Sequence, residues 1–187
     1  SLQSESDLDM FDELEQRKLR FVLLGDLDGV HARLVRSDDI TGARNATSHL
    51  LKNGYQRLLY LSGPKEFMAS ERRRQGFIKA HEDLGMQVDK NQSMLCGWRM
   101  QDGYCTGAEY SEQIRNRFDA VFCYNDTIAI GLIRALMEKG IRIPEEIGVI
   151  GFDDSEFGNY ISPGLTTVAQ PAYDIGYRAA EILIDCI

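Results

Sequence analysis

The chain has 187 residues, of which 43% are hydrophobic and 27% charged, a composition typical of one globular domain or two small lobes. Its formal net charge of −8 argues against direct binding to a nucleic-acid backbone, which requires a basic surface. The sequence shows no signal peptide and no run of 18 apolar residues, so we expect a cytoplasmic protein with no membrane partner.

The cysteines and histidines predict neither a metal site nor a cofactor. They are spread along the chain without Cys-x-x-Cys or other ligand spacing, at Cys96, Cys105, Cys123, Cys186, His31, His49 and His81. Scattered thiols in a cytosolic protein are typically reduced and structural, and Cys123 stands within an apolar run.

Apolar runs alternate with segments of helical length along the whole chain. The first half predicts a helix over 8–18, a strand over 21–24, a helix from 38 to 51, a strand over 58–61 and a helix over 69–84. The second half predicts strands over 94–96, 119–124, 148–152 and 166–168, with helices over 101–114, from 125 to 139 and after Pro171. This alternation predicts an α/β fold with parallel sheets flanked by helices.

Polar or aromatic groups follow nearly every predicted strand. The segments are Gly25-Asp26-Leu27-Asp28, Ser62-Gly63-Pro64, Gly97-Trp98, Tyr124-Asn125-Asp126 and Phe152-Asp153-Asp154-Ser155. Open α/β sheets bind ligands just beyond the carboxyl ends of their strands. Carboxylates and amides there can bond vicinal hydroxyls, an indole can stack on a sugar ring, and Arg73 adds a fork of donors.

Each of these residues also has a simpler explanation when it is taken alone. Asn125 and Asp126 can cap the helix that follows them. The run Arg72-Arg73-Arg74 can form a solvated helix face, and Trp98 can belong to the core or its rim. The convergence of all of them on one sheet edge favours a binding cleft.

An ordered set of motifs covers nearly the whole chain. The motifs are Asp38-Asp39, Gly42-Ala43, Ala46, His49-Leu50, Gly54-Tyr55, Leu59 to Pro64, Glu71 to Phe77, Asn125-Asp126-x-x-Ala129-x-Gly131, Ile143-Pro144-Glu145-Glu146, Gly151-Phe152-Asp153-Asp154 and Leu165 to Pro171. In this order and spacing, the chain resembles the effector-binding domain of LacI/GalR-family transcriptional regulators. Tyr55 departs from the family's commoner histidine.

The resemblance implies a periplasmic-binding-protein-like fold of type I, with two α/β lobes that clamp a small molecule. It implies a partial N-terminal lobe from 1–63 and 171–187 and a complete C-terminal lobe from 64–170, with crossovers at 62–64 and near Gln170. The ligand-binding positions that it implies are Arg73, Trp98, Asn125, Asp126, Asp153 and Gln170.

The resemblance also implies a sensor without catalytic activity. Its expected partners are a small-molecule effector, with sugars as the family's usual effectors, and a second copy in a homodimer. Operator DNA would be bound only through a helix-turn-helix domain that this sequence lacks. The partial lobe leaves the strands at 21–24 and 58–61 without expected neighbours, and open strand edges also favour dimers or swapped assemblies.

Two other functions remain open at this point. A periplasmic sugar-binding protein shares the two-lobed fold, although the Ile-Pro-Glu-Glu and Leu-Thr-Thr-Val runs favour the regulator. The run Gly25-Asp26-Leu27-Asp28-Gly29 resembles the strand end of haloacid-dehalogenase-type phosphatases. There Asp26 would be the nucleophile and Asp28 the general acid/base, but no matching lysine motif follows.

Overall fold

The computed structural model describes residues 5–25 and 32–186. Its helices are α1 (Glu5–Gln16), α2 (Asp39–Lys52), α3 (Met68–Glu82), α4 (Met100–Arg117), α5 (Asp126–Glu138) and α6 (Ala172–Ile184). Its strands are β1 (Leu23–Leu24), β2 (Leu34–Val35), β3 (Leu58–Ser62), β4 (Ser93–Leu95), β5 (Ala120–Cys123) and β6 (Gly148–Ile150). All strand pairs are parallel, which confirms the predicted α/β class. Asp26 and Asp28 of the phosphatase hypothesis lie outside the described residues.

The chain divides into a larger unit, residues 39–169, and a smaller unit built from 1–38 and 170–187. The predicted boundary at residue 63 is therefore wrong, because residues 39–63 belong to the larger unit. The physical reason is strand pairing: β3 pairs with β4 on one side and with β5 on the other. The open edge predicted for 58–61 is wrong for the same reason. The crossover predicted near Gln170 coincides with the second boundary.

The larger unit is built on a parallel sheet with the strand order β4-β3-β5-β6. Its two central strands, β3 and β5, consist almost entirely of buried residues, as expected for strands covered on both faces. Beyond β6, the segment 166–169 continues the sheet through isolated parallel bridges. The backbone N–H groups of Gly151 and Asp153 donate there to the carbonyls of Thr166 and Val168.

The alternation of side chains along β3 and β5 divides the core into two layers. One layer contains Leu59, Leu61 and Val121 and packs against α4 and α5. The other contains Tyr60 and Phe122 and packs against α2 and α3. Helices on both faces of a parallel sheet leave the strand ends as the open edge, which is where the candidate site lies.

Helices α4 and α5 approach each other at backbone distance. A Cβ atom on Gly131 would lie 2.0 Å from the carbonyl oxygen of Met100, and one on Gly103 would lie 2.2 Å from that of Ile128. Only glycine permits this approach. Because α4 begins at Met100, the contact with Gly131 also fixes the loop that carries Trp98.

The smaller unit contains a two-stranded parallel sheet of β1 and β2, together with α1 and α6. The rings of Phe11 and Phe21 pack against each other with a centroid distance of 5.4 Å. Within the described ranges, none of the helices is long and apolar enough to cross a membrane.

Candidate functional site

Arg73 is the centre of the polar groups at the carboxyl edge of the larger sheet. It points inward from α3, and its side chain is only 5% exposed. Its Nε donates to Oδ1 of Asp39 at 2.8 Å, and its Nη1 donates to the Tyr124 carbonyl at 2.5 Å. The guanidinium stacks over the Phe152 ring, 3.7 Å from its centroid. The solvated-face explanation is therefore wrong for Arg73.

Asp153 is the accessible partner of this arginine. Its Oδ1 lies 3.5 Å from Nη1 of Arg73, and its side chain is 37% exposed. Asp153 follows β6 with a φ of +125°, and Asp154 has a φ of +60°, both unusual for residues other than glycine. Backbone strain of this kind persists at functional sites when the surrounding structure holds it in place.

Three aromatic residues line the same edge. The Phe67 ring lies 6.5 Å from the rings of both Trp98 and Tyr124. Trp98, the only tryptophan of the chain, is 40% exposed and stacks with the guanidinium of Arg99 at 4.9 Å. Burial, with smaller contributions from Asp153 and Asp39, raises the pKa of the Tyr124 phenol, which therefore stays protonated at neutral pH.

Asn125 supports this surface and has little exposure of its own. Its Oδ1 accepts a hydrogen bond from the backbone N–H of Ile128, so Asn125 is the N-cap of α5. Its Nδ2 donates to the Trp98 carbonyl at 3.0 Å, and the Thr127 hydroxyl donates to the same oxygen at 2.8 Å. Asn125 thus ties the Trp98 loop to the start of α5.

Asp126 is fully buried, contrary to its predicted role as a ligand contact. Its Oδ2 accepts from the backbone N–H of Ser155 at 2.6 Å, and its Oδ1 accepts from the Thr167 hydroxyl at 2.5 Å. Its own N–H donates to the Phe152 carbonyl. Because these bonds occupy the carboxylate below the surface, Asp126 holds the Asp153 segment in place and offers no acceptor to a ligand.

Gln170 belongs to the smaller unit, where it is half-buried and its carbonyl accepts a hydrogen bond from the N–H of Ala172. Its role as a hinge-region ligand contact stays a prediction. The structure thus brings together Arg73, Trp98, Asn125, Asp126 and Asp153 within the larger unit.

Sequence reasoning missed two residues of this site, Asp39 and Phe67, and it named Tyr124 only as a group that follows a strand. Asp39 was named only as part of the Asp38-Asp39 motif at a helix start, yet it is the buried counter-ion of Arg73. One signal was available, because an arginine on the apolar side of a helix requires a carboxylate partner. In the part of the chain that the structure describes, no group of three His, Cys, Asp or Glu side chains could hold a metal ion.

The model of the family described as the periplasmic binding protein-like domain matches residues 47–187. The chain belongs to this family. It is 40% identical over 146 residues to the HTH-type transcriptional repressor PurR of Vibrio vulnificus, covering 78% of the chain and 43% of that repressor. It is 31% identical over 189 residues to the probable repressor ExuR of Bacillus subtilis, covering 100% of the chain and 56% of that protein.

A crystal structure of a LacI-family transcriptional regulator from Enterococcus faecium with bound ribose superposes with a TM-score of 0.83. The two proteins are 30% identical, and the match covers 97% of this chain and 66% of that one. The resemblance to LacI/GalR-type effector-binding domains is therefore confirmed. The chain spans about half the length of the curated relatives it matches.

Proposed function

We propose that the chain is the effector-sensing part of a transcriptional regulator and that it binds a small sugar. The observation that carries the proposal is the pairing, at one sheet edge, of an accessible carboxylate with an accessible indole. Asp153 can accept hydrogen bonds from vicinal hydroxyls, and Trp98 can stack on the apolar face of a sugar ring. The relative with bound ribose supports this ligand class.

In the whole protein, we propose that sugar binding is coupled to operator binding through a helix-turn-helix domain. A ligand shifts such an equilibrium only by its difference in affinity for the two conformations. The coupling is reciprocal, so operator DNA would change the affinity for the sugar by the same factor. The 187 residues alone, with a net charge of −8, should not bind operator DNA in a gel-shift assay.

The proposal is tested by titrating the protein with a panel of neutral pentoses and hexoses, D-ribose included, using Trp98 fluorescence and calorimetry. Saturable binding by at least one sugar is expected. Asp153→Ala should then weaken that binding by about 1.5–3 kcal/mol, the range for a hydrogen bond to a charged group. Asp185→Ala, which alters a carboxylate at the end of α6, is the matched control and should leave the affinity unchanged. Full affinity in Asp153→Ala would contradict the assigned site.

We also propose that the regulator is a homodimer and that a second copy covers an apolar groove between α4, α5 and the 160–162 loop. Met100, Met137 and Tyr160 are exposed there, at 44%, 45% and 78%. The groove also carries Arg134 and Glu138, a self-complementary charge pair suited to a two-fold contact between identical surfaces.

The dimer is tested by light scattering coupled to size-exclusion chromatography. Met137→Glu, which places a charge in the groove, should shift the protein to monomer. Leu84→Glu replaces an equally apolar exposed residue outside the groove and should leave the dimer intact. A dimer that survives Met137→Glu unchanged would contradict this assignment.

A further inference from the structure

The positive charge of Arg73 is already matched inside the larger unit. Asp39 and Arg73 form an ion pair in which both side chains are 5% exposed, and Asp153 provides a second carboxylate at 3.5 Å. The remaining Nη1 contact goes to the Tyr124 carbonyl, which is also an acceptor. The described hydrogen bonds of the arginine therefore all go to oxygen acceptors with full or partial negative charge.

Carboxylates are also present along the wider edge. Arg73 and Arg99 lie along this edge together with the carboxylates of several aspartates. The carboxylates are those of Asp39, Asp102, Asp126 and Asp153. An anionic ligand would have to approach these carboxylates and compete with them for Arg73.

We infer that Asp39 determines which ligands the site accepts: by neutralising Arg73 from within, it restricts the site to uncharged polyhydroxylated ligands and excludes phosphorylated or carboxylated ones. This inference rests on the proposed sugar-binding site and specifies its ligand class. A neutral sugar can donate its hydroxyls to Asp153 without breaking the Arg73–Asp39 pair. A phosphate group needs guanidinium donors, and Nε and Nη1 of Arg73 already donate to Asp39, the Tyr124 carbonyl and Asp153.

Removal of the Asp39 charge should create phosphate binding, which can be measured without knowing the natural effector. Asp39→Asn has nearly the same shape and keeps an acceptor for Nε of Arg73, but it removes the buried negative charge. An arginine left without its counter-ion favours a new anion. The variant should therefore bind inorganic phosphate at least about tenfold more tightly than the wild-type protein does.

The probe is inorganic phosphate, titrated at constant ionic strength against chloride, with Trp98 emission and thermal stability as readouts. Asp83→Asn is the matched control, because it removes a carboxylate from an exposed ion pair with Arg44 in the same unit. Wild type and Asp83→Asn should show no saturable response beyond the chloride series. Adding Arg73→Gln to Asp39→Asn should abolish the gain, which assigns the phosphate to the guanidinium.

A folded Asp39→Asn variant that binds phosphate no better than wild type would overturn the inference, and so would wild-type protein that binds phosphate as tightly as the variant. If Asp39→Asn fails to fold, Asp39→Ser replaces it, because serine also removes the negative charge and keeps a polar side chain at the start of α2. A phosphate response in Asp39→Ser then supports the inference, and no response refutes it. Failure of the sugar-binding proposal is seen separately, in the titrations of wild-type protein with neutral sugars.

Discussion

Replacing Gly131 by alanine tests the contact that sets the geometry of α4 and α5. The new Cβ would lie 2.0 Å from the Met100 carbonyl oxygen and 2.8 Å from the Tyr104 nitrogen. Both are backbone atoms of α4, so no change of rotamer can relieve the clash and the two helices must separate. The separation also displaces the start of α4, two residues beyond Trp98.

The magnitude follows from two opposing effects. Alanine is favoured over glycine in a helix interior by about 1 kcal/mol. Overpacking of a well-packed core costs about 1–3 kcal/mol, and it reaches the upper part of that range where the obstacle is backbone. We therefore expect Gly131→Ala to lower the free energy of unfolding by about 1–2 kcal/mol net, measured by urea denaturation, with a shift in Trp98 emission in the native state.

Gly176 provides the matched control, because it is also a helical glycine but has no atom within 4 Å of the position of a new Cβ. Gly176→Ala should be neutral or stabilising by up to about 1 kcal/mol. If Gly131→Ala proved as stable as Gly176→Ala, the close approach of α4 to α5 would be refuted, and with it the placement of the Trp98 loop.

Three further predictions concern buried or paired ionisable groups. Asp126→Ala should destabilise the protein by about 2–4 kcal/mol in urea, because it leaves the Ser155 N–H and the Thr167 hydroxyl without their acceptor; a loss below about 0.5 kcal/mol would contradict this. Hydrogen bonds from Arg142 lower the pKa of Glu146 to about 2. Since this folded-state pKa is below the ordinary value of 4.5, the stabilisation by Glu146 is present above pH 4.5 and is lost as the pH falls towards 2. The difference in the free energy of unfolding between the wild-type protein and Glu146→Gln should therefore shrink as the pH falls over that window. Burial raises the pKa of the Cys123 thiol, so at pH 8 a thiol reagent should modify exposed Cys105 and spare Cys123 until the protein unfolds.

The sequence predicted the elements of the larger unit well, because their signals are local. The run Leu58 to Leu61 is entirely apolar, and such a run between turn signals indicates a buried parallel strand. The predicted boundary at residue 63 was wrong because the partners of this strand, β4 and β5, lie about 35 and 60 residues further along the chain. No local pattern shows which sheet a strand joins.

The same distinction explains what could be predicted about the site. Strand ends place Asp153, Trp98 and Asn125 at one edge, and the structure brings them together there. Distant segments of the chain decide whether a polar side chain contacts the ligand or only holds another side chain that does. Asp126 is buried because Thr167, 41 residues away, donates to it, and Arg73 is matched by Asp39, 34 residues away.

The positive φ of Asp153 leads to a prediction that separates its backbone from its side chain. An L-residue at a φ of +125° costs roughly 1–3 kcal/mol, whereas glycine adopts this conformation without that cost. Asp153→Gly and Asp153→Ala lose the same carboxylate contact with Arg73, so their difference in stability reports the backbone alone. The more flexible unfolded chain of the glycine variant lowers its free energy of unfolding by about 0.5–1 kcal/mol. After this loss is subtracted from the relieved strain, Asp153→Gly should be more stable than Asp153→Ala by about 1 kcal/mol in urea.

The opposite order would show that the backbone at Asp153 is relaxed and would remove the argument that strain marks a functional position. The expected order has a clear meaning for the site. A glycine would serve the fold better at this strand end, yet the chain has an aspartate there, held by the buried Asp126 and facing Arg73. An aspartate at a positive φ that favours glycine is best explained by the ligand that its carboxylate binds.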